Sequence, residues 1–546
     1  MGAEDERPAF TIPYESQGGA STTKTLALLS QAETDHRLTE HQSSYTVGRK
    51  ANPVLRYDTN FLNSNSPIED DSCVVVSPIY RTTSLPSLLT ICIQLQVLER
   101  DPQSKVSGDL TSRLLSSSLV SYVARELDLV YRSSPPYSTH PSAPPKSSSP
   151  SFWTLLGASS SPSQSPALDL VDPIVQTAIK NGFDRMDDEI VNAPVRLLEK
   201  MHKEGKVRKP LVEMGGMSTE QTEALTTLLP ALSGSCALLA FLDAGRNKLH
   251  VACTGDSRAV MGTWEPSAKG GGGKWRAEAL SEDQTGKAPK EVERMRAEHP
   301  PSEADTVIAR GRVLGGLEPT RAFGDARYKW PLGLQERLAE AFHPGSVRGR
   351  PRNYLTPPYV KATPEVTTID LSQGISPPRK SLSSFLPVAS SSEPLPPQAT
   401  RFIVLATDGL YDRLNNDEVV SLVGAHLSGL RGPQSRSTVL SHISASSPTA
   451  SLGPSHTHAP RQEPIRGEPD PYIFEDGNLG THLIRNALGG AKREQVSALL
   501  SIPSPLSRRY RDDITVTVVL LGEGKGTEGG TGGVYRRDDV PLKSKL

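Results

Sequence analysis

Cysteine is scarce. Cys73, Cys92, Cys236 and Cys253 are the four in 546 residues, none in a CxxC pair and none at zinc-site spacing to a histidine cluster. That argues against a disulfide framework and a thiolate zinc site. Three of the four sit among apolar neighbours, the usual setting of buried thiols in a reducing compartment. Net charge is scarce too, with 60 Lys+Arg against 61 Asp+Glu. A balanced chain gives no electrostatic reason to expect nucleic acid or an anionic membrane as partner, and the basic run Arg348 to Arg352 reads as a short solvated loop. Long hydrophobic runs are missing. The most apolar stretch, Leu85 to Leu98, is too short to span a bilayer and contains Pro86, Gln94 and Gln96, so no transmembrane segment is expected. The opening Met-Gly-Ala-Glu-Asp-Glu is acidic, unlike a signal peptide or an Arg-rich transit peptide. Glu6 stands where myristoylation favours Ser or Thr.

Large apolar residues thin out in three Ser- and Pro-rich segments, near 133–166, 373–399 and 432–470. Such stretches bury too little surface to offset the entropy of ordering them, so they read as mobile insertions. Gly522 to Gly533 reads as part of a flexible tail, residues 522–546. Residues 1–50 read as a poorly ordered extension, which leaves 51–521 as the folded domain.

Apolar patterning predicts strands at Ala237 to Leu242 and Lys248 to Thr254, joined by a turn carrying Asp243, Gly245 and Asn247. Further strands are predicted at Phe402 to Thr407 and Ile514 to Leu521. Apolar recurrence near a period of about 3.6 predicts helices at Thr111 to Tyr131, Val171 to Asp188, Glu220 to Leu229, Lys290 to Glu298 and Asn416 to Leu427. The elements do not alternate strictly as β-α-β, which favours an α+β layered fold over a parallel sheet.

Acids recur where strands meet loops, often beside glycine: Glu69-Asp70-Asp71, Gly255-Asp256, Gly324-Asp325, Asp408-Gly409 and Asp512-Asp513. Each alone is an ordinary turn former. Brought together, the carboxylates would repel and need a cation. Oxygen-only ligands suit Mg²⁺ or Mn²⁺, and two such ions about 3.5–4 Å apart can activate a water for attack on phosphorus.

The motifs then become specific. Leu232-Ser233-Gly234-Ser235-Cys236-Ala237 and Val251 to Ala259 resemble the GSTA and VANxGDSRAV motifs of the metal-dependent type-2C (PPM) protein phosphatases. Leu280-Ser281-Glu282-Asp283-Gln284 is similar to LTxDH, Arg321 to Asp325 to RAFGD, Leu405 to Asp412 to LATDGLWD, and Arg511 to Val516 to the DNITV ending. The motifs stand in the family's order and span about Arg56 to Leu521.

The resemblance implies an α-β-β-α sandwich, two central antiparallel sheets flanked by helices. It implies hydrolysis of phosphoserine and phosphothreonine by a metal-bound water, with two or three Mg²⁺ or Mn²⁺ ions. Carried over by position, Asp408 and Asp512 are metal ligands, Glu69 and Asp70 hold the second metal or its waters, and Asp256 matches the acid of a third, weaker site. Asp283 and Asp325 are supporting acids, with Gly409 and Asp513 beside the ligands. Gln284 replaces the usual His, which weakens any proton-transfer role there. Asn65-Ser66-Pro67-Ile68-Glu69-Asp70 resembles the NxPIED opening of the pyruvate dehydrogenase phosphatase branch, with Asn65 where many relatives place a phosphate-binding Arg. That branch implies a phosphoprotein substrate, the pyruvate dehydrogenase complex, and a mitochondrial location. The acidic N-terminus leaves a cytoplasmic location as the alternative.

The family's DGHxG motif is absent. Counting back from the helix at Thr111, Ser104, Lys105 and Val106 occupy the Asp, Gly and His places, and Ser77 to Gln103 resembles nothing in the family. Val106 cannot donate a proton, and loss of a general acid costs about 10²–10⁴ in rate. Three explanations stand: a misread exon boundary, a pseudophosphatase that only binds partners, or substitution by Asp101 or Asp109. The abrupt stop and restart of the resemblance favours the first. A transcript read across the codons for Asp71 to Leu110 is expected to restore Asp-Gly-His; a read identical to this sequence rules that explanation out.

Overall fold

The computed structural model describes residues 7–15, 21–47, 53–64, 68, 70–78, 88–98, 110–133, 171–205, 219–267, 272–342, 353–372, 399–444, 471–522 and 534–536. The chain opens with the hairpin β1 (Ala9–Glu15) and β2 (Ser21–Ala27), helix α1 (Gln31–Thr39), and strands β3 (Ser43–Thr46), β4 (Val54–Leu62), β5 (Asp71–Pro78) and β6 (Leu88–Leu98). Helices α2 (Leu110–Ser133), α3 (Val171–Lys203) and α4 (Thr219–Leu232) follow. Then come β7 (Gly234–Asp243), β8 (Lys248–Thr254), β9 (Arg258–Pro266) and β10 (Gly273–Ala279). Helix α5 (Pro289–Glu298), short strands β11 (Ile308–Ala309), β12 (Arg312–Val313) and β13 (Phe323–Gly324), helix α6 (Leu332–Phe342) and β14 (Glu365–Asp370) form the middle of the chain. The last part holds β15 (Arg401–Ala406), α7 (Asp408–Tyr411), α8 (Asn416–Leu427), β16 (Gly432–Gln434), α9 (Arg436–Leu440), β17 (Tyr472–Phe474), α10 (Leu479–Ala487), α11 (Arg493–Ser501), β18 (Ile514–Leu521) and β19 (Val534–Arg536).

Two antiparallel sheets form the centre. One runs β10-β9-β15-β18-β4-β3 and the other β14-β8-β7-β6-β5-β19, with β13 paired to β7 as its seventh strand. Strand alternation builds the layers directly, because successive side chains point to opposite faces. On β7, Ala237, Leu239 and Phe241 join a core with α2, α3 and α4, whereas Leu238, Ala240 and Leu242 meet the other sheet. On β15, Phe402 and Val404 face α8, α10 and α11, while Ile403 and Leu405 face inward between the sheets. Both central strands are buried along their whole length, which explains their unbroken apolar runs. The result is the expected α+β fold of four layers.

The N-terminus of α8 is set by a capping box in which Asn415 accepts from the Glu418 N–H and Glu418 accepts from the Asn415 N–H. Helix α3 runs well past the predicted end at Asp188 and through Pro194. An interior proline costs about 3 kcal/mol; burial of Ile190, Val191, Leu198 and Met201 outweighs it.

Several boundaries need correction. The expected poorly ordered extension carries β1, β2, α1 and β3, and β3 pairs with β4 in the six-stranded sheet. Buried Leu38 and hydrogen bonds across long sequence separations hold it there, such as Asn60 Nδ2 donating to Leu38 O at 2.7 Å. The insertion expected from 432 begins with β16 and α9, and the Trp275 N–H donates to His442 O at 2.8 Å. Residues 134–170, 373–398 and 445–470, which hold the rest of the three insertions, lie outside the described residues. Within the expected tail, β19 pairs with β5 and covers what would otherwise be a sheet edge. Strand β6 was not predicted; it forms ten pairs with β7, from Leu89 opposite Asp243 to Leu98 opposite Gly234. No described helix is long and apolar enough to cross a membrane.

The Arg321 to Asp325 segment is anchored by a buried ion network. Glu291 on α5 accepts from Arg321 at 2.6 Å, from Arg294 at 2.7 Å and from Thr320 Oγ1 at 2.5 Å. Burial pushes the Glu291 carboxyl up, but bonds and charge from Arg321 and Arg294 outweigh it and hold it down, from 4.5 to about 2. A depressed carboxyl contributes its stability in full above the unfolded value and loses it as pH falls through the folded one. The contribution here is about 3 kcal/mol, lost between pH 4.5 and about 2. Glu291→Gln is expected to lower stability at neutral pH and to flatten this acid limb in urea denaturation series; an acid limb of unchanged steepness would refute the assignment.

Candidate metal centre

Both sheets turn their chain ends to the same side. In the seven-stranded sheet, Gly234 opens β7 where β6 and β8 close, and Asp71 opens β5 opposite Leu95. In the six-stranded sheet, β15 closes at Ala406 where β9 opens at Arg258 and β18 opens at Ile514. The three residues Gly255, Asp256 and Ser257 link β8 to β9, and therefore one sheet to the other, at this end. Asp70, Asp256, Asp408, Asp512 and Asp513 all follow or precede strands here, although they are separated by up to 443 positions.

Asp70 is tied to Thr407, the residue that precedes Asp408. The Thr407 hydroxyl donates to Asp70 Oδ2 at 2.7 Å and accepts from the Thr515 N–H at 3.0 Å. Asp408 opens α7 in the next position and is buried. Asp512 Oδ1 accepts from the Asp513 N–H at 2.8 Å, and Asp513 Oδ1 accepts from the Ser64 N–H at 2.5 Å. Burial, then the charges of Asp513 and Asp512, push the Asp70 carboxyl well above the ordinary carboxylate range, against hydrogen bonds from Thr407 and Thr515. On the other sheet, the Cys236 thiol donates to Asp256 Oδ1 at 3.1 Å. Burial and the charges of Asp256 and Asp408 push this thiol well up.

The supporting acids take other places. Asp283 pairs with Arg258 at 2.6 Å, and Arg258 also donates to Asn416 Oδ1 at 3.0 Å and lies over the Tyr411 ring. Gln284 clamps the loop beside Asp256: its Oε1 accepts from the Gly255 N–H at 2.8 Å and its Nε2 donates to Cys253 O at 3.0 Å. Asp325 adopts a left-handed conformation, φ 44 and ψ 38, beside Gly234. A Cβ on Gly234 would lie 1.9 Å from Asp325 Oδ2, so glycine is required there. Gly409 is required for a similar reason, since its Cβ would lie 2.1 Å from Asp513 O.

Glu69 and Asn65 lie outside the described residues, as do Ser104, Lys105 and Val106. Among the described residues no group of three or more His, Cys, Asp or Glu side chains is placed to hold a metal ion. Strand β6 ends at Leu98 opposite Gly234, so the chain enters residues 99–109 from the site end of the sheet. It returns as α2, where Thr111 Oγ1 donates to Pro230 O at 2.8 Å and Ser116 Oγ to Asp71 Oδ2 at 2.8 Å.

The profile described as protein phosphatase 2C matches residues 175–376 and 380–446. The mitochondrial [pyruvate dehydrogenase [acetyl-transferring]]-phosphatase 1 of Saccharomyces cerevisiae is 31% identical over 537 residues, covering 94% of this chain and 77% of that protein. A protein phosphatase 2C homolog of Schizosaccharomyces pombe is 33% identical over 497 residues, covering 89% and 84%. The chain belongs to the protein phosphatase 2C family. The human mitochondrial [pyruvate dehydrogenase [acetyl-transferring]]-phosphatase 1 is 37% identical over 300 residues, covering 53% of this chain and 48% of that protein. As a protein phosphatase 2C, the chain is a serine/threonine protein phosphatase, a hydrolase of a family generally dependent on Mg²⁺ or Mn²⁺.

Residues that position this phosphatase site also escaped the sequence reading. Asp187 on α3 accepts from the Gly324 N–H at 2.9 Å and pairs with Lys329 at 2.7 Å, while Lys329 donates to Ala322 O at 2.8 Å. The pair brackets the strained backbone at Asp325. Nothing local marks Asp187, because its partners lie 137 and 142 residues away. Thr407 was within reach, since it immediately precedes Asp408 in the recognised motif. Gly409→Ala is expected to lower stability by about 1–3 kcal/mol through overpacking. In Gly333→Ala the new Cβ meets nothing within 4 Å of α6, and this control is expected to be neutral or stabilising by up to about 1 kcal/mol; equal melting shifts for the two would contradict the close approach of Gly409 to Asp513.

Proposed function

We infer that this phosphatase removes phosphate from serine and threonine in a protein substrate at the end of the sheet pair, with Mg²⁺ or Mn²⁺ held there. The observation that carries this reading is Asp70 bonded to Thr407, the residue before Asp408, and electrostatically close to Asp512 and Asp513, with all four acids buried. Buried carboxyls that repel one another are what a divalent cation relieves, and an all-oxygen donor set fits a hard ion. Asp408, Asp512 and Asp70 would hold the ions together with Glu69, and Asp256 would serve a third, weaker position. When bound, the ions supply an activated water for in-line hydrolysis of the phosphoester.

The protein's own residues prepare this site. Thr407 fixes Asp70 and the strand opening at Thr515 in one geometry. Gln284 and Cys236 hold the loop carrying Asp256. Asn65 in place of an arginine leaves recognition of the substrate phosphate to other groups. Two relatives are named as phosphatases of pyruvate dehydrogenase and as mitochondrial, which supports the pyruvate dehydrogenase complex as substrate and a mitochondrial location. A role limited to binding partners is not favoured by relatives that are themselves named as phosphatases.

Mn²⁺-dependent hydrolysis of p-nitrophenyl phosphate by the full chain is expected, falling to background in Asp408→Asn with the fold intact by circular dichroism. Turnover that is absent in the unmodified chain, or that survives Asp408→Asn, would overturn this reading.

A further inference from the structure

The acids proposed as ligands come from four distant parts of the chain, and two of those parts, ending in Asp70 and carrying Asp512, must be held in register. The turn carrying Asp512 and Asp513 follows α11 and a short helical turn at Leu506–Arg509. The segment leading into Asp70 leaves β4 at Leu62 and passes through Asn63 and Ser64. Three hydrogen bonds tie one to the other. Arg511 Nη1 donates to Asn63 O at 2.5 Å, the Ser64 N–H donates to Asp513 Oδ1 at 2.5 Å, and Ser507 Oγ donates to Ser64 O at 2.5 Å.

Arg511 is the centre of this fastening. Its Nε donates to Leu499 O in the last turn of α11 at 3.2 Å, so the planar guanidinium spans a helix C-terminus and the Asn63 carbonyl. A helix C-terminus carries partial negative charge and free carbonyls, which suit a cation. The neighbouring carbonyl of Leu500 accepts from Arg37 of α1, so the same helix end also anchors the N-terminal segment. Arg511 itself is only 6% exposed. A guanidinium buried among carbonyl acceptors is costly unless its geometry is used. Here that geometry fixes the backbone on which Asp512 stands.

We propose that Arg511 is a positioning residue that locks the Asp512–Asp513 turn to the Asn63–Ser64 segment, so that Asp512 and Asp70 face one cation site. The proposal rests on the metal-dependent reading above. It assigns Arg511 no contact with substrate or metal. Lysine cannot replace it, because a single ammonium lacks the rigid fork that reaches Leu499 O and Asn63 O together.

The test is Mn²⁺ titration calorimetry on the full chain, with thermal denaturation of the metal-free proteins alongside. Arg511→Lys is expected to weaken Mn²⁺ binding by about 10-fold or more, as loss of a partner behind a metal ligand does. Ser507→Ala removes the hydroxyl that holds Ser64 without touching the buried charge. It is expected to weaken binding about threefold or more with little change in melting temperature. If Arg511→Lys fails to fold, Ser507→Ala decides alone. Unmodified affinity in the folded variants, even with lowered melting temperatures, would reduce Arg511 to a structural residue and overturn the proposal. Absence of Mn²⁺ binding by the unmodified chain would instead overturn the metal reading, and this proposal with it.

Discussion

Repulsion between buried carboxyls is the constraint around which this molecule is arranged. Asp70 lies beside Asp512 and Asp513 in a place that water scarcely reaches, and its proton affinity rises in consequence. Neutral donors surround the group: the Thr407 hydroxyl at Asp70, the Ser64 N–H at Asp513 and the Asp513 N–H at Asp512. They help orient the carboxyls. Arg511, a buried cation near them, donates to the carbonyls of Leu499 and Asn63.

The sheet pair makes such crowding possible. All strand pairings in the two sheets are antiparallel, so openings and closings of sequence-distant strands fall at one end. Short links then carry acids across: Gly255 to Ser257 joins β8 to β9, and Thr407 joins β15 to α7. Where acids serve the frame instead, they are paired. Glu291 takes Arg321 and Arg294, Asp283 takes Arg258, and Asp187 takes Lys329. These pairs fix helices α3 and α5 and the strands beside them.

The segment that departs from the family pattern enters this architecture at a sensitive place. Strand β6 lies between β5 and β7 in the sheet, and its last residue stands opposite Gly234 at the site end. Backbone pairing needs only extended residues with alternating faces, which Leu88 to Leu98 supply whatever their ancestry. The chemistry of the motif that normally follows depends on particular side chains, and these a strand cannot supply.

The sequence alone determined the family, the α+β class, and which residues carry acids at strand ends, because those depend on local motifs and on periodicity along the chain. It marked Asn416 to Leu427 and Ile514 to Leu521 at their actual limits, since apolar recurrence and a β-branched run are local signals. Tertiary structure decided what local signals do not encode. Residues 21–47 are ordered because Leu29, Arg37 and Asp35 find partners more than 440 positions away, in α10 and α11. Likewise, Asp187 and Arg511 meet the backbone groups of Gly324 and Asn63, remote in sequence, only through folding. A lone charged residue shows its chemistry in sequence, but the partners that give it a role exist only after the chain has closed on itself.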